Sequence, residues 1–203
     1  DFLEMKISCD SYTFYEEIKK LPSSSFLTLK CNKSSDLIKY DSFKGLKKNQ
    51  HNIEETAKNL RKLLERALNK LLFYTPNKIG FLFSGGLDSS SLISLFRENK
   101  SPDQKIFAFT TVYEDMEKNL QKNIDEKIFQ DEIINLNKGE IEQVKFNGAF
   151  KTTLDDIKVF LEVIGEPFFF PNLCVTYNCY LDAKKNSVHS VINGNDGDTV
   201  ISH

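Results

Sequence analysis

Tryptophan is absent from the 203 residues, methionine occurs twice, histidine three times and proline five times. The four cysteines, Cys9, Cys31, Cys174 and Cys179, form no CxxC pair and have no histidine at a ligand-like offset. That excludes the common zinc and dithiol signatures and points to reduced thiols in a cytosolic protein, so the expected localisation is cytoplasmic. No run approaches the ~20 apolar residues of a membrane-spanning helix, and no signal-peptide pattern opens the chain, so no membrane partner is expected. Net charge is only −2 although 28% of residues are charged. Neither a basic nucleic-acid footprint nor a basic membrane-surface patch follows from such a balance. His51 falls in a linker, His203 at the end, and His189 in an expected core strand, so none stands out as a catalytic group.

What is present is apolar material, 40% of the chain. That suffices for one domain with a sizeable core, or one domain and a remnant of another. The opening "DFLEMKIS" lacks an initiator methionine, and "GDTVISH" ends inside a loop-like stretch, so the chain reads as a piece of something longer. Residues 1–50 have little periodic core. "SYTFYEEIKKLPSSSFLTLK" predicts a short helix, a turn at Pro22 and a strand over Phe26–Leu29, and "KGLKKNQHN" is linker-like.

At Asn52 the pattern changes. Asn52 with Glu55 three residues on forms a capping-box-like pair. Ile53, Ala57, Leu60, Leu64, Ala67, Leu68, Leu71 and Leu72 follow at helical spacing, and "TPN" ends the helix. Strands and helices then alternate. Strands are expected at "KIGFLF" (78–83), 105–113, 140–146 and 187–192. Helices are expected at "SSSLISLF", 125–137, 153–164 and 171–185. In the helix at 125–137, Ile128, Phe129, Ile133 and Leu136 are expected on one side. The stretch 119–127 reads as a mobile loop. Continuous apolar strands alternating with helices predict an α/β fold, a parallel sheet with helices on both faces.

The most informative stretch is "KIGFLFSGGLDSSSL". Ser84-Gly85-Gly86-Leu87-Asp88-Ser89 lies where a buried strand becomes a helix. Two glycines permit positive φ and close backbone approach to a ligand. The helix N-terminus supplies free N–H groups and a dipole that favours an anion, and serine hydroxyls add donors. Neither GxxxxGK[ST] nor GxGxxG is present. Asp88 would repel a phosphate unless a cation lay between them, so the carboxylate implies Mg²⁺ bridging to a phosphate chain. The plainer alternative is a tight turn in which Asp88 or Ser89 caps the helix.

"SGGLDSS" resembles the pyrophosphate loop of the ATP pyrophosphatase (PP-loop) superfamily, and the rest of the chain resembles one branch of it, the asparagine synthetases. "LRKLLERALNKLLFYTPNKIGFLFSGGLDSSSLISL" is similar to that family's helix, break, strand and loop. "EEIKKLPSSSFLTL" resembles its link from the glutaminase domain, "AFTTVYED" the strand that lines the adenine, and "DEKIFQDEIINLNKGEIEQVKF" its next helix–strand unit. "GEPFFFPNLCVTYNCYLDAKK" resembles its "DEP" segment, and "VINGNDGDTVISH" its second loop. The resemblance implies a five-stranded sheet of order 3-2-1-4-5, which brings the ends of strands 1 and 4 to one crevice. It divides the chain into 1–50, a glutaminase-like remnant with its linker, and 51–203, the PP-loop domain, truncated at its C-terminus.

The resemblance further implies ATP and Mg²⁺ as cofactors. Leu82, Ser84 and Thr111 would contact the nucleotide, while Gly85, Gly86, Asp88 and Ser89 would hold phosphate. Gly194 would pass close to the nucleotide, and Asp88 and Asp198 would hold the metal. Glu166 and Pro167 would shape the acceptor side, Glu166 either by contacting substrate or by fixing its loop. The implied partners are a small carboxylate substrate, ammonia or an amine, a glutaminase-like domain in cis or trans, and a second copy in a homodimer. Three positions depart from the family's pattern: Asn195 replaces the acid after the first glycine, Thr199 the acid after Asp198, and Gly165 the Asp of "DEP". Asn195 cannot serve as a base, whereas Asp196 beside it can take that place. The segment supplying the family's transition-state lysine and the N-terminal nucleophilic cysteine have no counterpart in the sequence.

Three readings follow. One is amide synthesis through adenylation of a carboxylate, on aspartate or on another acceptor as in β-lactam or lasso-peptide cyclising relatives. A second is a non-catalytic relative that binds a nucleotide or a partner. A third is another PP-loop enzyme, such as a tRNA-modifying one, which the acidity and absent cysteine pairs disfavour.

Overall fold

The structure is a computed structural model. It describes residues 11–29, 31, 36–40, 52–74, 77–114, 116–119, 126–148, 154–167, 173–195 and 197; the side chains of 72–74 and 174 are outside that description. The chain divides into two compact units, Asp1–Gln50 with Thr153–Phe170, and His51–Thr152 with Pro171–His203.

In the first unit, β1 (Ser25–Thr28) and β2 (Asp36–Lys39) pair antiparallel, Ser25 opposite Lys39 and Thr28 opposite Asp36. The helix expected within residues 11–20 does not form. Tyr12 instead makes an antiparallel bridge with Lys19. The Thr13 hydroxyl accepts the Tyr15 N–H at 3.0 Å and donates to the Ile18 carbonyl at 2.6 Å. A side-chain oxygen that offers the backbone such local partners competes with the helical ladder.

The second unit opens with α1 (Ile53–Tyr74). Its start is the expected one: Asn52 Oδ1 accepts the Glu55 N–H at 2.8 Å, and the Asn52 carbonyl accepts the Thr56 N–H at 2.9 Å. A parallel sheet follows, built from β3 (Lys78–Leu82), β4 (Lys105–Val112), β5 (Ile141–Asn147) and β6 (Ser190–Ile192) in the order β5-β4-β3-β6. This is the first four positions of the expected order, and no fifth strand occurs among the described residues. The register sets Ile79 opposite Ile106 and Ser190, and Ile106 opposite Ile141.

Helices α2 (Leu87–Asn99), α3 (Lys127–Leu136) and α5 (Leu173–Lys185) connect the strands, while α4 (Leu154–Ile164) belongs to the first unit. Alternation along the strands makes two cores. Ile79, Phe81, Phe83, Ile106 and Ala108 pack with Leu68 of α1 and Ile93, Leu95 and Phe96 of α2, joined by Ile133 and Ile134 of α3. Phe107 and Phe109 face the other way and pack with Cys179 and Ala183 of α5 and with Val188. The Phe81 and Phe96 rings meet edge to face at 5.3 Å. Burying each such side chain contributes on the order of 1.5–3 kcal/mol, so β3, buried on both faces, is the anchor from which the following loop projects. Arg61 pairs with Glu65 at 2.8 Å and with Glu98, tying α1 to α2, and Arg97 of α2 bonds Asn137 beyond α3.

The face of α3 differs from expectation. Ile128, Phe129 and Leu136 are exposed, and the helix turns Gln130, Ile133 and Ile134 inward. Polar anchoring overrides the apolar stripe: Gln130 and Asn137 are both buried and bonded to neighbouring backbone. His189 is exposed and lies one residue before β6 rather than within a core strand. Cys31 and Cys179 are free thiols, the first exposed and the second buried. Cys9, the Cys174 side chain and most of the expected loop at 119–127 lie outside the described residues. No helix among the described residues is long and apolar enough to cross a membrane.

Candidate functional site

The site lies at the carboxyl ends of β3, β4 and β6. The pairing of β3 runs one residue past Leu82, where the buried Phe83 donates its N–H to the Phe109 carbonyl at 2.9 Å. The chain then turns at Gly85, whose φ of 94° is a conformation that favours glycine. Space enforces the same choice, because a Cβ there would lie 3.0 Å from the Gln130 nitrogen and 3.2 Å from the Glu126 carbonyl oxygen. Ser84 Oγ accepts the Gly86 N–H at 3.1 Å and lies 3.2 Å from Ser89 Oγ. Ser89 and Ser90 hydroxyls donate to the Gly86 and Gly85 carbonyls, each at 3.2 Å. The serines therefore hold the loop's own shape, and the donors free to meet a ligand are backbone ones.

Those donors sit at the start of α2. Its N-cap is Gly86, which has no side chain to cap it, and its first intrahelical bond runs from the Ser90 N–H to the Gly86 carbonyl at 3.0 Å. The N–H groups of Leu87, Asp88 and Ser89 precede that bond and, by helix geometry, have no partner within the helix. Together with the dipole they make an anion site.

The second loop closes on this one. A Cβ on Gly194 would lie 3.2 Å from both Asp88 Cβ and the Ser89 nitrogen, and a Cβ on Gly197 would fall inside the Asp88 carboxylate. Asp88 is half-buried between the loops. The absence of side chains at 194 and 197 therefore lets the second loop pack directly against the Ser89 nitrogen and the Asp88 carboxylate. The second loop is itself turned by the Gly197 N–H to the Gly194 carbonyl at 3.3 Å, and the Asn195 N–H reaches Asn193 Oδ1 at 3.3 Å.

Leu82 and Thr111 stand at the ends of β3 and β4. Leu82 is half-buried against the second core. Thr111 accepts a bond on its carbonyl from Gln130 Nε2 at 3.2 Å. Burial pushes the neighbouring Cys179 thiol's pKa up, and a hydrogen bond with Thr111 opposes that shift. Glu166, in the first unit, pairs with Lys20 at 3.1 Å. Gly165, in place of the family's aspartate, takes a φ of 79° and bonds its N–H to the Leu161 carbonyl at 2.8 Å, closing α4. Asp196, Asp198 and Thr199 lie outside the described residues.

The matching family model is that of asparagine synthase, over residues 59–202. The chain belongs to the asparagine synthase family. No curated protein matches it. Membership gives ATP-dependent amide synthesis as the general chemistry and a ligase-type enzyme as the class, and the parallel sheet flanked by helices is the fold expected of it.

Among the described residues no cluster of three His, Cys, Asp or Glu side chains could hold a metal ion. The polyphosphate of ATP nonetheless fits the residues that are described. Gly85 makes the turn, Gly194 and Gly197 bring the second loop against Asp88 and Ser89, and backbone N–H groups start α2 between them. Asp88 is the described carboxylate able to give Mg²⁺ an oxygen there.

Sequence reasoning missed Gln130. It is 2% exposed, and its Nε2 donates to the Ser84 carbonyl at 2.9 Å as well as to Thr111. A single polar residue in an amphipathic helix gives no pattern that would have marked it.

Proposed function

We propose that this chain is the ATP-splitting part of an asparagine-synthetase-like enzyme. It joins a small carboxylate to ammonia or another amine and releases AMP and pyrophosphate. The observation that carries the reading is the closure of the second loop, through Gly194 and Gly197, onto Asp88 beside the uncapped start of α2. A plain capped turn would need neither feature. The substrate carboxylate attacks the α-phosphorus of ATP, and the amine then displaces AMP from the acyl-adenylate. The N–H groups of Leu87–Ser89 bind the departing pyrophosphate, where charge builds up as the bond breaks. Leu82 and Thr111 set the nucleoside end at the strand termini. Mg²⁺, held by Asp88 and Asp198, would neutralise phosphate charge. A glutaminase-like domain, in cis or trans, is the source of ammonia this reading calls for.

A second reading, a relative that binds nucleotide without turning it over, is favoured by Asn195, which is exposed where the family carries an acid. One assay separates the two: pyrophosphate release from ATP and Mg²⁺ by the full-length protein with a panel of carboxylates. Release that depends on one acceptor supports synthesis, while ATP binding without release supports the second reading. Asp88→Asn should cut release at least about tenfold, the loss of roughly 1.4 kcal/mol of transition-state stabilisation. Normal release by that variant would sink the metal role assigned to Asp88.

A further inference from the structure

We infer that Gln130 is a positioning residue for the nucleotide loop, stapling it to the end of β4. This rests on the proposed function. A primary amide has two N–H groups, and Gln130 directs Nε2 to two carbonyls: Ser84 O at 2.9 Å and Thr111 O at 3.2 Å. The first belongs to the last residue before the Gly85 turn, the second to the β4 terminus where the nucleoside end is placed. One side chain on α3 therefore fixes the distance between the phosphate loop and the nucleoside end of the site. The Gln130 backbone lies against Gly85 as well, since a Cβ there would come within 3.0 Å of its nitrogen.

The arrangement is costly. Among the described residues, Gln130 Oε1 is the one buried side-chain nitrogen or oxygen without a hydrogen-bond partner. Flipping the amide offers no relief, because it would turn Oε1 toward two carbonyl oxygens. Removing the Gln130 amide also takes the donor from two backbone carbonyls, and an acceptor left unpaired away from water destabilises the fold. Ser84 is exposed, so water can serve its carbonyl, whereas Thr111 is half-buried. The two bonds that satisfy these carbonyls are thus also the ones that set the geometry of the loop. Leucine has no donor to join the two carbonyls, and glutamate would set its oxygens against them until it is protonated.

The test uses the full-length protein and the variants Gln130→Leu and Gln130→Glu, with ATP and Mg²⁺ affinity measured by calorimetry alongside melting temperature. With Gln130→Leu, the dissociation constant for ATP should rise about tenfold from the loss of two modest hydrogen bonds, measured well below a melting temperature that should fall by about 2–12 °C. With Gln130→Glu, affinity relative to the parent should be weakest at pH 8 and should partly recover toward pH 5.5, as the protonated acid regains one donor. A stable variant that binds ATP as the parent does would overturn the inference, as would affinity lost only in step with lost folding in both variants. A parent protein that binds no ATP would instead refute the proposed function on which the inference stands.

Discussion

Replacing Gly85 with alanine tests the loop geometry at its tightest point. Two costs are written into the structure. The φ of 94° places an L-residue in sparsely populated backbone space, worth about 1–3 kcal/mol. The new methyl would also meet the Gln130 nitrogen at 3.0 Å and the Glu126 carbonyl oxygen at 3.2 Å. Both are backbone atoms of the first turn of α3, so relief requires moving the helix, and overpacking of this kind costs about 1–3 kcal/mol. Reduced freedom of the unfolded chain returns about 0.4–1 kcal/mol. The net expectation is a loss of about 3 kcal/mol, or a fall of about 6–12 °C in melting temperature for a chain of this size. Gly139→Ala supplies the control. Its φ is 88°, and nothing lies within 4 Å of its Cβ position, so it carries the backbone cost alone. Urea denaturation of both variants measures the difference, which should be about 1–3 kcal/mol. Equal losses would refute the claim that α3 presses on the loop.

Asn52→Ala should cost about 1 kcal/mol by removing the 2.8 Å cap on the Glu55 N–H, seen as a lower urea midpoint at unchanged slope. The Cys179 thiol, held protonated by burial, contributes stability that is full below the unfolded value of about 8.5 and is lost as pH climbs through its raised folded value. Stability should therefore decline on the alkaline side, and the decline should be shallower in Cys179→Ala, as denaturation at stepped pH will show. Iodoacetamide should label the exposed Cys31 well before Cys179 in the native protein.

The strand–loop–helix at the centre of the site was legible because each part has a physical signature. A strand buried on both faces is apolar throughout, as Ile79, Phe81 and Phe83 are on one side and Leu82 on the other. Two glycines before a helix mark a turn with positive φ and close packing, as Gly85 has. The Asn52 cap was legible for a similar reason, since an N-cap is a local hydrogen bond. The failures occur where side-chain hydrogen bonds override pattern. Thr13 diverts residues 11–20 from a helix by bonding Tyr15 and Ile18. Gln130 rotates α3 so that Ile128 and Phe129, the more apolar choice, stay outside. In both cases the deciding partner is a backbone group, of Tyr15 and Ile18 or of Ser84 and Thr111, and backbone groups have no letter in the sequence.

The two halves of the site are rooted in very different depths of the sheet. The Ser84–Ser89 loop leaves β3, which is paired on both sides and buried on both faces. The Gly194–Gly197 turn leaves β6, three half-buried residues opposite Ile79, Gly80 and Phe81. Local opening draws on the segments with the fewest buried contacts. β6 can therefore open, and free Gly194 and Gly197 from Asp88, at a lower free-energy cost than β3. Amide protons of β6 should exchange with solvent far sooner than those of Ile106–Thr110, so the side of the site that β6 carries is the one that moves while the Ser84–Ser89 loop stays fixed.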